Sequence, residues 1–144
     1  VDLLHALAGG APLRVSAQCI AGGGRYRGDD NVILTISFAD GSIGTVVYTA
    51  AGDDRMPKER LEVFGEGAMA VLEDFRSLEL SRGGRSRRQR TANQDKGFEE
   101  EIRRFLDAVR CGGPMPIPFE EAAASTWATL AAVDSLRQGS SISR

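Results

Sequence analysis

Asn31-Val32-Ile33-Leu34-Thr35-Ile36-Ser37-Phe38-Ala39-Asp40-Gly41-Ser42-Ile43-Gly44-Thr45-Val46-Val47-Tyr48-Thr49 is the stretch that decides the fold. Val32, Leu34, Ile36 and Phe38 alternate with Ile33, Thr35 and Ser37, the period-two signature of a half-buried strand. Asp40-Gly41 sits between two such runs, and glycine tolerates positive φ, so the stretch predicts a β-hairpin. Read as a two-residue turn, it pairs Phe38 with Ile43, Ile36 with Thr45 and Leu34 with Val47. The other face then carries Thr35, Ser37, Gly44, Val46 and Tyr48.

More strands flank this hairpin. Upstream, Leu13 to Ala21 alternates Leu13, Val15, Ala17, Cys19 and Ala21. Downstream, a polar loop from Ala51 to Lys58 leads to short runs at Leu61–Phe64, Ala68–Leu72 and Leu78–Leu80. Arg82-Gly83-Gly84-Arg85 reads as a hairpin into an arginine-rich strand ending near Arg90. The period then changes. Ile102, Phe105, Leu106 and Val109 fall at i, i+3, i+4 and i+7, one stripe of an amphipathic helix. Glu99, Glu100 and Glu101 crowd its first turn and Arg110 its last, as the helix dipole favours, and Gly112-Gly113 stops it. Pro114, Pro116 and Pro118 mark an extended connector. A second helix runs from about Phe119 to Gln138, with Trp127, Leu130 and Val133 at three-residue steps, and Ser140 to Ser143 is a last short strand. At the start, Val1 to Ala8 reads as a helix closed by Gly9-Gly10. A helix beginning at Val1 rather than after a Met predicts a piece of a longer chain.

The order is helix, about six strands, then two helices. Grouped strands joined by short turns predict an α+β fold: an open-faced, mostly antiparallel sheet with helices on one face. At 144 residues the chain is read as one domain, 1–144. It is 42% hydrophobic and 26% charged, which excludes a disordered or fibrous chain. The net charge of −2 argues against a nucleic-acid partner. No apolar run reaches the ~20 residues of a membrane span, and no secretory signal is visible, so the expectation is no membrane partner and a cytoplasmic location. Cys19 and Cys111 form no disulfide framework or cysteine-rich metal site.

A catalytic constellation is not legible. His5 is the one histidine, and its apolar helical setting reads as structural; no metal site is expected. Gly22, Gly24 and Gly28 mimic a dinucleotide fingerprint, but Arg27 breaks the pattern and the loop feeds a strand rather than a helix. The arginine hairpin (Arg82, Arg85, Arg87, Arg88, Arg90) reads as a solvated strand edge in preference to a phosphate contact. Asp53, Asp54, Arg55, Lys58 and Glu59 form a loop of mixed charge suited to gripping a polar ligand such as a sugar.

Taken in order, several segments resemble the C-terminal domain of the glucose-fructose oxidoreductase / inositol dehydrogenase / rhizopine catabolism (Gfo/Idh/MocA) family of NAD(P)-dependent dehydrogenases. They are Val1-Asp2-Leu3-Leu4 with Leu7-Ala8-Gly9-Gly10, Asp30-Asn31-Val32 with Phe38-Ala39-Asp40-Gly41-Ser42, and Tyr48-Thr49-Ala50-Ala51-Gly52-Asp53. Pro57-Lys58-Glu59, Leu61-Glu62-Val63-Phe64-Gly65, Asp74-Phe75, Asp95-Lys96-Gly97-Phe98, Phe105-Leu106-Asp107-Ala108-Val109 and Pro116-Ile117-Pro118 continue the series. The resemblance implies a dihydrodipicolinate reductase-like sheet that forms part of a sugar or nucleotide-sugar pocket and makes a homo-oligomer, a dimer or larger. It implies NAD or NADP in the full-length protein, bound by an N-terminal Rossmann domain outside this sequence. This segment alone is expected to hold no cofactor and to be inactive. Asp2 matches the Asp of the family's H-x-x-D segment, whose His would precede Val1; His5 is out of that register. Phe98 stands where similar sequences often have His. The substrate contacts expected on this reading are Lys58, Asp53, Arg55, Tyr48 and Lys96. The alternative is a non-catalytic assembly or ligand-binding module whose sheet pairs with a second copy through Ile33, Thr35 and Val46.

Overall fold

The computed structural model describes residues 1–20 and 30–144, so the glycine loop at Gly22, Gly24 and Gly28 lies outside the described residues. Among the described residues there are three helices and eight strands: α1 (Asp2–Ala8), β1 (Pro12–Cys19), β2 (Asn31–Phe38), β3 (Ile43–Thr49), β4 (Arg60–Gly65), β5 (Ala68–Glu73), β6 (Ser77–Arg82), β7 (Arg85–Arg90), α2 (Phe98–Cys111), α3 (Phe119–Gln138) and β8 (Ile142–Ser143). The fold is α+β and every strand pair is antiparallel. The strands divide into two four-stranded sheets, ordered β3-β2-β1-β8 and β4-β5-β6-β7. Each belongs to its own compact unit, Val1–Gly52 with Ile117–Arg144, and Asp53–Pro116.

In the first unit, α3 packs on β1, and α1 touches both α3 and β3. Val15, Ala17, Ile36 and Phe38 point inward and meet Ala128, Ala131 and Ala132. Ile36 is 0% exposed and Phe38 4%. The helix face expected from Trp127, Leu130 and Val133 is not the one that is buried. Leu130 and Val133 are exposed, whereas Ala124, Ser125, Ala128, Ala131, Ala132 and Ser135 face inward. Small side chains let the helix axis approach the sheet closely. Ser135 also closes a gap in the sheet. Its Oγ accepts the Ala17 N–H at 2.9 Å, beyond the reach of the two-residue strand β8. A buried edge N–H is thereby satisfied by a helix side chain.

The β2–β3 hairpin departs from the expected register by one residue. Ser37 pairs with Ile43, Ile36 with Gly44 and Leu34 with Val46. The loop has three residues rather than two, because the Phe38 N–H donates to Ser42 O and the Gly41 N–H to Phe38 O. Asp40 enforces this: Oδ1 accepts the Ser42 N–H at 3.0 Å and Oδ2 the Ser42 hydroxyl at 2.7 Å. Gly41, at φ +88°, absorbs the left-handed position such a loop requires. A one-residue shift turns every β3 side chain over. Gly44 and Val46 therefore face the core, while Ile43 (73% exposed) and Val47 (68%) point outward beside Ile33. A Cβ on Gly44 would lie 2.9 Å from Leu4 Cδ1 and 3.2 Å from Phe38 Cε2, so a larger residue there would have to displace Leu4.

The second unit is a four-stranded meander with α2. Its β6–β7 turn is the two-residue type the sequence predicts, with Gly83 (φ +57°) and Gly84 (φ +73°) between paired Arg82 and Arg85. β7 is an edge strand and all six of its residues are exposed, the geometry expected of a charged, aggregation-resistant edge. One face of the sheet carries Leu61, Val63, Ala70, Leu72, Leu78 and Leu80. The other carries a charge network in which Arg60 donates to Glu62 and Glu73, and Arg88 to Glu73 and Ser77.

Candidate functional site

Lys58 and Lys96 come together around Glu59. Lys96 Nζ lies 2.5 Å from Glu59 Oε1, and 5.6 Å from the centre of the Phe75 ring. The Lys96 hydrogen bond holds the Glu59 carboxyl below the usual range, with a smaller Coulombic contribution from Lys58. Glu59 O also accepts the Asp74 N–H at 2.7 Å, so the cluster sits where β4 begins and β5 ends. Glu59 Oε2 is buried and finds no partner among the described residues. The cluster thus offers one engaged ammonium (Lys96), one exposed ammonium (Lys58) and one carboxylate oxygen with unused accepting capacity.

Asp53 and Arg55 are paired within their own turn. Asp53 Oδ1 accepts the Arg55 N–H at 2.9 Å and lies 3.8 Å from its Nε. Both are exposed, and an exposed pair of this kind adds little stability, which leaves the guanidinium available. Tyr48 belongs to the other unit. It pairs with Val32 across β2–β3 and is 61% exposed, so its hydroxyl is accessible.

A cleft that the sequence did not reveal lies within the first unit. It has a volume of about 320 Å³ and is lined by α1, the start of α3 and Arg144, with His5, Glu120 and Glu121 among its polar groups. His5 Nδ1 shares a hydrogen bond of 3.0 Å with Ser125 Oγ, and its ring stacks on Phe38. Ser125 is buried and so cannot meet a substrate as a nucleophile; the bond ties α1 to α3. The structural reading of His5 fits this setting. Only sequence distance hid the cleft, since 120 residues separate His5 from Ser125.

Among the described residues no group of His, Cys, Asp and Glu is arranged to hold a metal ion. Cys19 and Cys111 are both free and exposed. Among those residues no helix is long and apolar enough to cross a membrane.

The described residues thus form an antiparallel α+β fold with accessible polar clusters. Comparison with known proteins makes this specific. Residues 1–71 match the family described as GFO/IDH/MocA C-terminal domain, and this part of the chain belongs to that family. No curated protein matches the chain. Solved structures share its fold. UDP-N-acetylglucosamine 3-dehydrogenase GnnA from Acidithiobacillus ferrooxidans superposes with a TM-score of 0.78 at 20% identity, covering 95% of this chain and 44% of that one. An oxidoreductase from Agrobacterium radiobacter, solved with NAD+, L-tartaric acid and magnesium, gives 0.79 at 13% identity, covering 99% and 46%. Aldose-aldose oxidoreductase from Caulobacter crescentus, complexed with glycerol, gives 0.79 at 15% identity, covering 99% and 44%. The chain therefore spans less than half the length of these relatives.

Proposed function

We propose that the chain is the substrate-facing and oligomer-forming C-terminal part of an NAD(P)-dependent oxidoreductase acting on a sugar or nucleotide-sugar. The observation that carries this reading is the alignment of 95–99% of the chain with 44–46% of such enzymes, together with the family match. On this reading the nicotinamide is held by a Rossmann domain in the rest of the protein and performs the hydride transfer. Residues of this chain orient the substrate. Lys58, Asp53, Arg55, Tyr48 and Lys96 are proposed, each taken singly, as donors and acceptors for substrate hydroxyl or phosphate oxygens. Lys58 is the first to test, because its ammonium is exposed and makes no ion pair among the described residues, whereas Lys96 is engaged by Glu59.

Titrating the chain with a nucleotide-sugar, followed by amide NMR, tests the reading. Shifts at Lys58 that vanish in Lys58→Met are expected, with no NADH or NADPH consumed. Turnover by the chain alone, or shifts that survive every substitution at the five positions, would overturn it.

The oligomer-forming role has its own support. Ile33, Ile43 and Val47 form an exposed apolar row on the outer face of β2–β3, the surface an aligned sheet pairing buries. Val46, expected from the sequence to join that surface, faces inward, and the one-residue register shift is the reason. Light scattering is expected to show an oligomer whose mass Val47→Glu lowers by removing the β2–β3 contact.

A further inference from the structure

The second unit presents two unpartnered apolar surfaces with opposite charged borders. The first is a cleft of about 630 Å³ on one sheet face. Its floor is Val63, Ala68, Ala70 and Leu80, and its rim is Arg82, Arg85 and Arg87, with Glu66 the one acidic residue of the lining. None of these arginines is in an ion pair among the described residues. The second is α2, which has no buried residue. Phe98, Ile102, Phe105, Leu106 and Val109 form its exposed stripe. At 100° per residue, Glu99 and Glu101 fall on either side of that stripe at its first turn.

The cleft cannot match its own α2 in charge. The segment entering the helix is pinned at the β5–β6 end of the sheet: Asp95 N–H donates to Phe75 O, Gln94 Nε2 to Asp74 and Lys96 Nζ to Glu59. The arginine rim lies at the other end, one strand length away, about 20 Å for six residues. A 14-residue helix is about 21 Å long. Folded back along its own sheet, α2 would leave its glutamates at the pinned end and bring Arg110 to the arginines. A helix arriving in the opposite direction would set Glu99 and Glu101 on the arginine rim and the apolar stripe on Val63, Ala70 and Leu80. A second copy supplies such a helix.

We infer that α2 of one copy docks in the arginine-rimmed apolar cleft of a second copy, an exchange that two-fold symmetry makes reciprocal. This interface is separate from the outer face of β2–β3. Sedimentation equilibrium of the chain and its charge reversals tests it. Arg85→Glu/Arg87→Glu and Glu99→Arg/Glu101→Arg are each expected to weaken association about ten-fold or more, the scale of a close interfacial charge pair. Combining the four reversals in one chain restores the charge match and is expected to recover the wild-type constant, which also shows that the reversed chains fold. A chain that stays monomeric, an association indifferent to either reversal, or a combined variant that does not recover would each overturn the inference. Val47→Glu distinguishes the two interfaces, since it strikes the β2–β3 contact and leaves the charge dependence in place.

Discussion

The two units contain four strands each, yet only one of them has a core. In the first, α1 and α3 cover one sheet face, and Val15 and Ile36 are wholly excluded from water. In the second, no residue from Asp53 to Pro116 is buried, and the leucines of β4–β6 remain partly or largely open. Two four-stranded antiparallel sheets therefore differ in burial, so strand pairing alone does not decide it. The difference lies in a covering layer: a sheet gains most of its stability when another element removes its apolar face from water.

The sharpest way to break this contrast is to cut the first unit's core. Ile36→Ala is expected to cost about 2–5 kcal/mol, the range for a buried Ile truncated to Ala, read as a lowered midpoint in chemical denaturation. Ser135→Ala comes next. It strands the buried Ala17 N–H, a loss of about 1–3 kcal/mol, and hydrogen exchange at that amide should accelerate. At protein concentrations too low for association, the equivalent truncation in the second unit, Leu80→Ala, is expected to cost less than about 1 kcal/mol, because the half-exposed side chain loses only part of its ~25 cal/mol per Å². A cost equal to that of Ile36→Ala at the same protein concentration would mean that the open face is covered in solution.

The smallest effect is electrostatic. Arg103 and Arg104 hydrogen-bond the Glu100 carboxylate and lower its pKa from 4.5 to about 2. A depressed carboxyl stabilises the fold above its ordinary pKa, and that contribution fades as pH falls from 4.5 towards 2. The helical circular dichroism signal should fall slightly across that window, and Glu100→Gln should remove this component. The group is fully exposed, so the change is confined to local fraying of α2.

The two hairpin turns show how far the sequence could be read. Gly83-Gly84 and Asp40-Gly41 looked alike as two-residue signals, and the first forms the expected turn. At the second, the Asp40 carboxylate competes for the Ser42 N–H and hydroxyl and makes a three-residue loop. Strand positions depend on local alternation and were legible. Register depends on two hydrogen bonds to a single carboxylate and was not. The face of α3 failed for a related reason: Leu130 and Val133 are more apolar than Ala128 and Ala132, but the buried face is made of small residues, alanine and serine, that fit a close helix–sheet approach. Of the candidate site, the residue types were legible and their partners were not. Glu59 engages Lys96 from 37 positions away, a pairing that no local pattern encodes.

The pairing of β1 with β8 bears on how the chain reaches this fold during synthesis. Residues 53–116 form a continuous stretch, so the second unit's meander can assemble from neighbouring hairpins as it leaves the ribosome. The first unit waits. Its sheet lacks the Ile142–Ser143 strand, and its core lacks the alanines of α3, until the segment from Ile117 to Arg144 has emerged. The β1–β3 sheet must spend that interval with Val15, Ile36 and Phe38 uncovered. The unit with the buried core is thus the later of the two to close, and that interval is when the nascent chain is most open to aggregation and to chaperones.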